Sequence, residues 1–176
     1  MSSRFERLSA RTEFEGKVFT VCTGTFRHED GHEVQREWVQ HDGAVGVVVH
    51  DGENLYLVRQ PREAIGAPDL LEVPAGKLDV EGEAPLETAK RELAEEIGKA
   101  AEHWEPLLSY YSSPGFTNEE IHLFLATGLS DVEKPGVEED ERIELVLHPL
   151  AELDALIREV VDAKTLIGLL ELRHRL

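Results

Sequence analysis

The stretch from Pro85 to Gly98 leaves this chain little choice of local structure. Leu86, Ala89, Leu93 and Ile97 recur at three- and four-residue spacing, the period of one buried helical face, while Glu92, Glu95 and Glu96 fall together on another. Pro85 suits a first helical turn, where its missing N–H costs little, and Gly98 stands where a helix stop belongs. The spacing predicts an amphipathic helix that crowds three carboxylates onto one side. Like charges so placed repel one another. A hard divalent cation held by carboxylate oxygens relieves that crowding, and Mg²⁺ fits best: it takes one or two carboxylates, keeps waters and accepts phosphate oxygens from a substrate. Mn²⁺ is a plausible substitute. The competing reading is a solvated acidic face, the usual fate of a charge run. Pro74-Ala75-Gly76 upstream weighs against it, because it reads as a tight loop whose backbone carbonyls can turn toward a metal.

A helix of this kind needs a core to lie on, and 176 residues supply one domain of ordinary size. Hydrophobic residues at 41% and charged residues at 31% fit a globular chain rather than a disordered or membrane-embedded one. No apolar run approaches a membrane span, and Met1-Ser2-Ser3-Arg4-Phe5-Glu6 lacks the apolar centre of a signal peptide, so a cytoplasmic protein is expected. Eighteen basic against 36 acidic residues give a net charge of −18, which repels nucleic acid and anionic membranes. An anionic small molecule is repelled at long range as well, so its site requires local Arg or Lys and a cation. Cys22 is the single cysteine, which excludes an intrachain disulfide and a cysteine zinc cluster.

Around the helix the chain reads mainly as strands. Residues 17–26 and 32–40 flank the turn His28-Glu29-Asp30-Gly31, and residues 44–50 and 55–60 flank Asp51-Gly52-Glu53-Asn54, which predicts two hairpins. Residues 70–73 lead into the loop before the carboxylate helix, and residues 104–112, 120–127 and 143–148 read as further strands. Leucines then return at helical spacing, at 150, 153 and 156 with Ile157, and at 166, 169, 170 and 172, which predicts two closing amphipathic helices. The expected fold class is α/β (α+β), a mixed sheet with a few helices packed on it.

Gly76, Glu83, Arg91-Glu92-Leu93, Glu95-Glu96 and Gly98 together resemble the Nudix box, the signature of hydrolases acting on nucleoside diphosphates linked to another group. Seven residues separate Glu83 from Arg91, as that pattern requires. Two positions depart from it: six residues rather than five lie between Gly76 and Glu83, and Lys99 occupies an aliphatic position. The extra residue falls in the loop 77–82, where an insertion is tolerated more easily than in a helix. The resemblance implies an α/β/α sandwich with a Nudix domain over residues 41–176, and an N-terminal strand extension, residues 1–40, that such enzymes use to build a homodimer.

Ser112-Ser113-Pro114-Gly115-Phe116, with Pro114 fifteen residues after Lys99, resembles the ADP-ribose pyrophosphatase subfamily in particular. So do Arg36-Glu37-Trp38-Val39, Arg59-Gln60-Pro61-Arg62 and Leu71-Glu72-Val73-Pro74-Ala75-Gly76. Taken alone, Pro114-Gly115 is an ordinary turn. The implied activity is Mg²⁺-dependent hydrolysis of ADP-ribose to AMP and ribose 5-phosphate. A pyrophosphatase for another nucleoside diphosphate sugar or a dinucleoside polyphosphate, and a sensor that binds ADP-ribose without cutting it, are the alternatives. Arg59 and Arg62 suit charge-assisted bonds to the diphosphate. Trp38 offers either a face for adenine, with Arg36 or Glu37 at its polar edges, or simply sheet core. Glu72 either binds a sugar hydroxyl or caps the loop. Glu92, Glu95 and Glu96, with the Ala75 carbonyl, are the expected metal ligands, Arg91 their orienting partner and Glu83 a brace for the loop. A base for the attacking water is expected in the acidic run 138–141, where related pyrophosphatases place a catalytic glutamate; Glu139 is the first choice and Glu141 the second.

Overall fold

The computed structural model describes residues 4–134 and 142–176. They fall into two compact units, one of Met1–Gly43 with Tyr111–Glu120, the other of Ala44–Tyr110 with Ile121–Leu176.

The first unit is a three-stranded antiparallel sheet of β1 (Phe5–Glu15), β2 (Thr20–His28) and β3 (Glu33–Gln40), in that order. The hairpin expected at His28–Gly31 forms, closed by the Gly31 N–H on the His28 carbonyl at 2.9 Å. Its register sets Cys22 opposite Trp38 and Phe26 opposite Val34, so these side chains share one face. Phe26 meets Trp38 edge-on at 5.9 Å and Phe5 at 5.8 Å. The segment after Tyr111 is laced to β3: the Val39 N–H donates to the Phe116 carbonyl at 2.7 Å, and the Asn118 N–H donates to the Val39 carbonyl at 3.3 Å. β1 is exposed along its whole length in the single chain.

The second unit runs β4 (Ala44–Val49), β5 (Asn54–Arg62), β6 (Ala67–Glu72), β7 (Ala75–Lys77), α1 (Pro85–Ile97), β8 (Lys99–Tyr111), β9 (Glu120–Asp131), β10 (Glu144–Pro149), α2 (Leu153–Glu159) and α3 (Ala163–Arg173). One sheet has the order β7-β4-β9-β8 and the other β10-β5-β6. β4 and β9 are parallel, and β4 is apolar almost throughout because both of its faces are covered. Val45, Val47 and Val49 point to one side, where Tyr56, Val58, Phe124 and Ala126 join Ala89, Leu93 and Ile97 of α1. Val48 points to the other, where Leu55, Leu57 and Val73 meet Leu153, Leu156, Leu169 and Leu172 of α2 and α3. Helices thus cover both faces of the strands, the α/β/α layering expected. No described helix is long and apolar enough to cross a membrane.

Two expectations are corrected. The backbones of the strands expected as a second hairpin pair only at their turn, through a bridge between His50 and Leu55, and the strands then part into different sheets. A strand has two hydrogen-bonding edges: those of β4 go to β7 and β9, and those of β5 to β6 and β10. The loop expected at Pro74-Ala75-Gly76 is also partly strand, since Ala75 and Gly76 pair with Gly46 and Val45. That pairing makes the entry to the carboxylate helix part of the core sheet.

Candidate active site

α1 begins with Pro85 at its first turn and ends at Gly98, whose N–H bonds the Ala94 carbonyl at 3.0 Å and whose left-handed backbone (φ 67°) turns the chain out of the helix. Ala89, Leu93 and Ile97 are buried, and fully burying a leucine such as Leu93 contributes about 1.5–3 kcal/mol. With that face anchored, the charged residues have a fixed direction.

Arg91 is the hub. Its NH1 donates to Glu92 Oε1 at 2.7 Å and to Glu95 Oε2 at 3.0 Å, and its NH2 donates to Glu83 Oε2 at 3.3 Å. Asp79 lies 3.8 Å from the same NH2. Burial opposes the charge on Arg91, but the field of Glu92, the bond to Glu83 and the fields of Glu95 and Glu83 outweigh it and hold its pKa above the usual range. Glu83 is held below the usual carboxylate range, first by the Thr88 hydroxyl at 2.8 Å and then by Arg91. These two bonds tie the loop to the helix.

Glu96 is buried and takes a different partner: its Oε2 accepts the Ala75 N–H at 3.0 Å, tying the helix to β7. Glu92 lies over Gly76 so closely that a Cβ added there would fall 2.0 Å from the Glu92 Cδ. A side chain at residue 76 would push the Glu92 carboxylate out of this position. The donor chemistry fits a hard divalent cation, with carboxylate oxygens on one helical side beside the half-buried backbone of Ala75 and Gly76. The structure does not draw these groups into a finished cage, for among the described residues no three His, Cys, Asp or Glu side chains gather closely enough to hold a metal. Arg91 stands between Glu92 and Glu95, and Glu96 turns to Ala75.

A second charged cluster, which sequence reasoning did not assemble, surrounds Glu72. This side chain is 1% exposed, and Arg62 forks onto it with Nε to Oε1 at 2.5 Å and NH2 to Oε2 at 2.9 Å. Lys164 Nζ donates to the same Oε2 and to Asp162 Oδ2 at 3.1 Å. Asp162 caps α3 by accepting the Thr165 N–H at 2.9 Å, and the Thr165 hydroxyl accepts the buried Val73 N–H at 2.9 Å. Burial pushes the Glu72 carboxyl up, and Arg62 and Lys164 together hold it below its usual range. Arg62 is raised, first by its bond to Glu72, and feels the fields of Asp162 and Glu96 as well. The spacing Asp162-x-x-Thr165 is a readable helix-cap signal; the pairing of Lys164 with Glu72 has no local signature.

The other expected residues are placed as follows. Arg59 bonds the Asp69 carbonyl at 3.2 Å in the β5–β6 hairpin. In the first unit, Trp38 is half-buried against Phe26, Arg36 donates to the neighbouring Gln35 carbonyl at 2.8 Å, and Glu37 is exposed. Pro114 and Gly115 form the turn closed by the Phe116 N–H on the Ser113 carbonyl at 3.1 Å, and this turn is joined to β3 beside Trp38. Glu139 and Glu141 lie outside the described residues.

Comparison with known proteins agrees with this architecture. The NUDIX domain model matches residues 40–168. The chain is 40% identical over 174 residues to a methanol dehydrogenase activator of Bacillus methanolicus, covering 96% of this chain and 93% of that protein. It is 38% identical over 170 residues to an ADP-ribose pyrophosphatase of Mycobacterium tuberculosis, covering 94% and 82%. A crystal structure of an ADP compounds hydrolase superposes with a TM-score of 0.85 over 98% of this chain and 94% of that one; at 23% identity it speaks for the fold alone. With the box carboxylates on α1 and the Gly76 strand beneath them, the chain belongs to the Nudix family of hydrolases.

Proposed function

We propose that this protein hydrolyses the diphosphate of ADP-ribose to AMP and ribose 5-phosphate, with Mg²⁺ or in its place Mn²⁺. The observation that carries the reading is the Arg91 hub, which holds Glu92 and Glu95 beside Gly76 on the face that also carries Glu96. Similarity to the Mycobacterium tuberculosis ADP-ribose pyrophosphatase over 94% of the chain supports the choice of substrate.

Glu92, Glu95, Glu96 and the Ala75 carbonyl hold the cations in this reading. When bound, they neutralise the diphosphate oxygens and make the attacking water more acidic. Arg91 keeps the carboxylates in register, and Glu83 keeps Arg91 in place. Arg62, with Arg59 on the same strand, meets the phosphate charge. Trp38, flanked by Arg36 and Glu37, and the Pro114-Gly115 turn joined to its strand make up the nucleoside end. Glu139, with Glu141 second, takes the proton from water as it attacks phosphorus and the P–O–P bridge breaks. Residues 1–40 serve as the dimerisation extension of a cytoplasmic homodimer, and residues 41–176 as the hydrolase domain. Sedimentation of the purified chain measures the dimer.

The test is product analysis over a panel of ADP-ribose, GDP-mannose, NADH and diadenosine polyphosphates with Mg²⁺ and with Mn²⁺. AMP and ribose 5-phosphate, formed with the highest kcat/KM from ADP-ribose, are expected. A higher kcat/KM on another member of the panel reassigns the substrate, and stoichiometric ADP-ribose binding without AMP makes the protein a sensor.

A further inference from the structure

We propose that Lys164 is a positioning residue for substrate affinity: by giving Glu72 a second cation, it fixes the Arg62 guanidinium and leaves that group's outer edge and charge available to the substrate diphosphate. The inference rests on the function proposed above and names a residue that function did not use.

The geometry is that of a carboxylate shared between two cations. A guanidinium has five N–H groups, and the fork onto Glu72 uses one on Nε and one on NH2. The fork sets the plane of the guanidinium, and both N–H groups of NH1 remain outside it. Glu72 is buried at 1% exposure, whereas the Arg62 side chain is 41% exposed, so the fork has a buried half and an open half. A buried carboxylate facing a single arginine would cancel that arginine's charge. Here Lys164, 12% exposed, shares Oε2 of Glu72, and Asp162 takes a second bond from Lys164 at 3.1 Å. The charged groups facing Glu72 are thus Arg62 from β5 and Lys164 from α3, with Asp162 behind Lys164.

The same cluster holds the backbone that enters the carboxylate helix. Next to Glu72, the Val73 N–H is bound by Thr165; the Pro74 carbonyl accepts the Val47 N–H at 2.8 Å; the Ala75 N–H is bound by Glu96. Lys164 therefore stands one residue before the α3 side chain that secures this run. Arg62 also feels the field of Glu96, so its guanidinium lies within electrostatic reach of the carboxylate helix.

The experiment compares Lys164→Met and Lys164→Arg with the wild type in two measurements: steady-state kinetics with ADP-ribose and Mg²⁺, and calorimetric binding of ADP-ribose in EDTA, where no turnover occurs. Lys164→Met is expected to raise KM and the metal-free Kd together by about tenfold, with kcat within about threefold, as for lost uniform binding. Lys164→Arg, which keeps the charge, restores most of both. Glu72→Gln weakens binding to a similar degree, and adding Lys164→Met to it costs little more, because the two act through one contact. Wild-type KM and Kd in Lys164→Met would overturn the proposal, as would a loss in kcat alone or full additivity with Glu72→Gln. If Lys164→Met does not fold, the Glu72→Gln/Lys164→Met pair, which leaves Glu72 and Lys164 both neutral, carries the test; wild-type affinity in it overturns the proposal. A wild-type protein that neither binds nor cuts ADP-ribose refutes the proposed function instead, a result distinct from every outcome above.

Discussion

The two charged clusters of the second unit are built on opposite ratios. On α1 one guanidinium, Arg91, serves three carboxylates, Glu83, Glu92 and Glu95; under β6 one carboxylate, Glu72, is served by two cations, Arg62 and Lys164. The α1 cluster is half open, whereas Glu72 is sealed. A bound cation relieves the first ratio; in the second, Asp162 balances Lys164, and the exposed edge of Arg62 is what can meet an anion. A phosphate ester that arrives with divalent ions brings both, so the contrast describes the ligand as well as the protein. It also separates two uses of charge: repulsion kept in reserve for a ligand on α1, and attraction spent on holding backbone beside Glu72.

The largest effect is expected from Glu96→Gln. Glutamine keeps an oxygen to accept the Ala75 N–H, so thermal unfolding stays close to wild type, while the negative charge proposed to hold metal is lost. Turnover of ADP-ribose should fall by about a hundredfold or more, since even partners of metal ligands cost up to that much. Unchanged kcat at saturating Mg²⁺ removes Glu96 from the ligand set and leaves Glu92 and Glu95, the two helical partners of Arg91, to carry it.

Arg91→Met sharpens the contrast at an intermediate scale. Glu83, Glu92 and Glu95 then face one another without their shared guanidinium, so the melting temperature in EDTA falls. Added Mg²⁺ recovers more of it than it adds to the wild type, because the ion now relieves a larger repulsion. Activity drops by about 10- to 100-fold, as expected for a partner that orients ligands. An equal Mg²⁺ shift in both proteins would mean that Arg91 carries no share of that repulsion.

The two clusters also differ in how far they were legible in the sequence. The α1 cluster was readable because its parts are local: Pro85 and Gly98 punctuate the helix, and Arg91 reaches Glu92 and Glu95 across one and four positions. The Glu72 cluster joins residues 92 apart, and no spacing rule brings Lys164 to Glu72. The false hairpin at Asp51 has the same cause. Its turn is real, but the edges of β4 and β5 are claimed by β9, β7, β6 and β10, strands that a local pattern does not rank. Trp38 and Pro114 fall between these cases: their motifs were visible apart, and the bonds of Val39 with Phe116 and Asn118 now join them.

Asp51 offers the smallest effect and a control for both clusters, being a carboxylate whose hydrogen bonds all come from neutral donors, with the Lys99 cation near enough to feel its field. Its Oδ1 accepts the Asn54 N–H at 2.7 Å and the Glu53 N–H at 2.8 Å, and Oδ2 accepts the Tyr56 hydroxyl at 2.9 Å. These bonds, the Asn54 and Glu53 amides foremost, hold its pKa at about 2 against an ordinary value of 3.8. A depressed carboxylate pKa stabilises the fold above the unfolded value and loses that contribution as pH falls through the folded one. Asp51→Asn should therefore lower stability to urea by the same small margin from pH 7 to pH 5, and the gap should narrow only from 3.8 toward 2. Because the donors are neutral, added salt leaves the gap in place, whereas the penalty of Arg91→Met in EDTA shrinks as salt screens the glutamates. A gap that already changes between pH 7 and pH 5, or one that salt erases, would assign the effect of Asp51 to distant charges instead of its own turn.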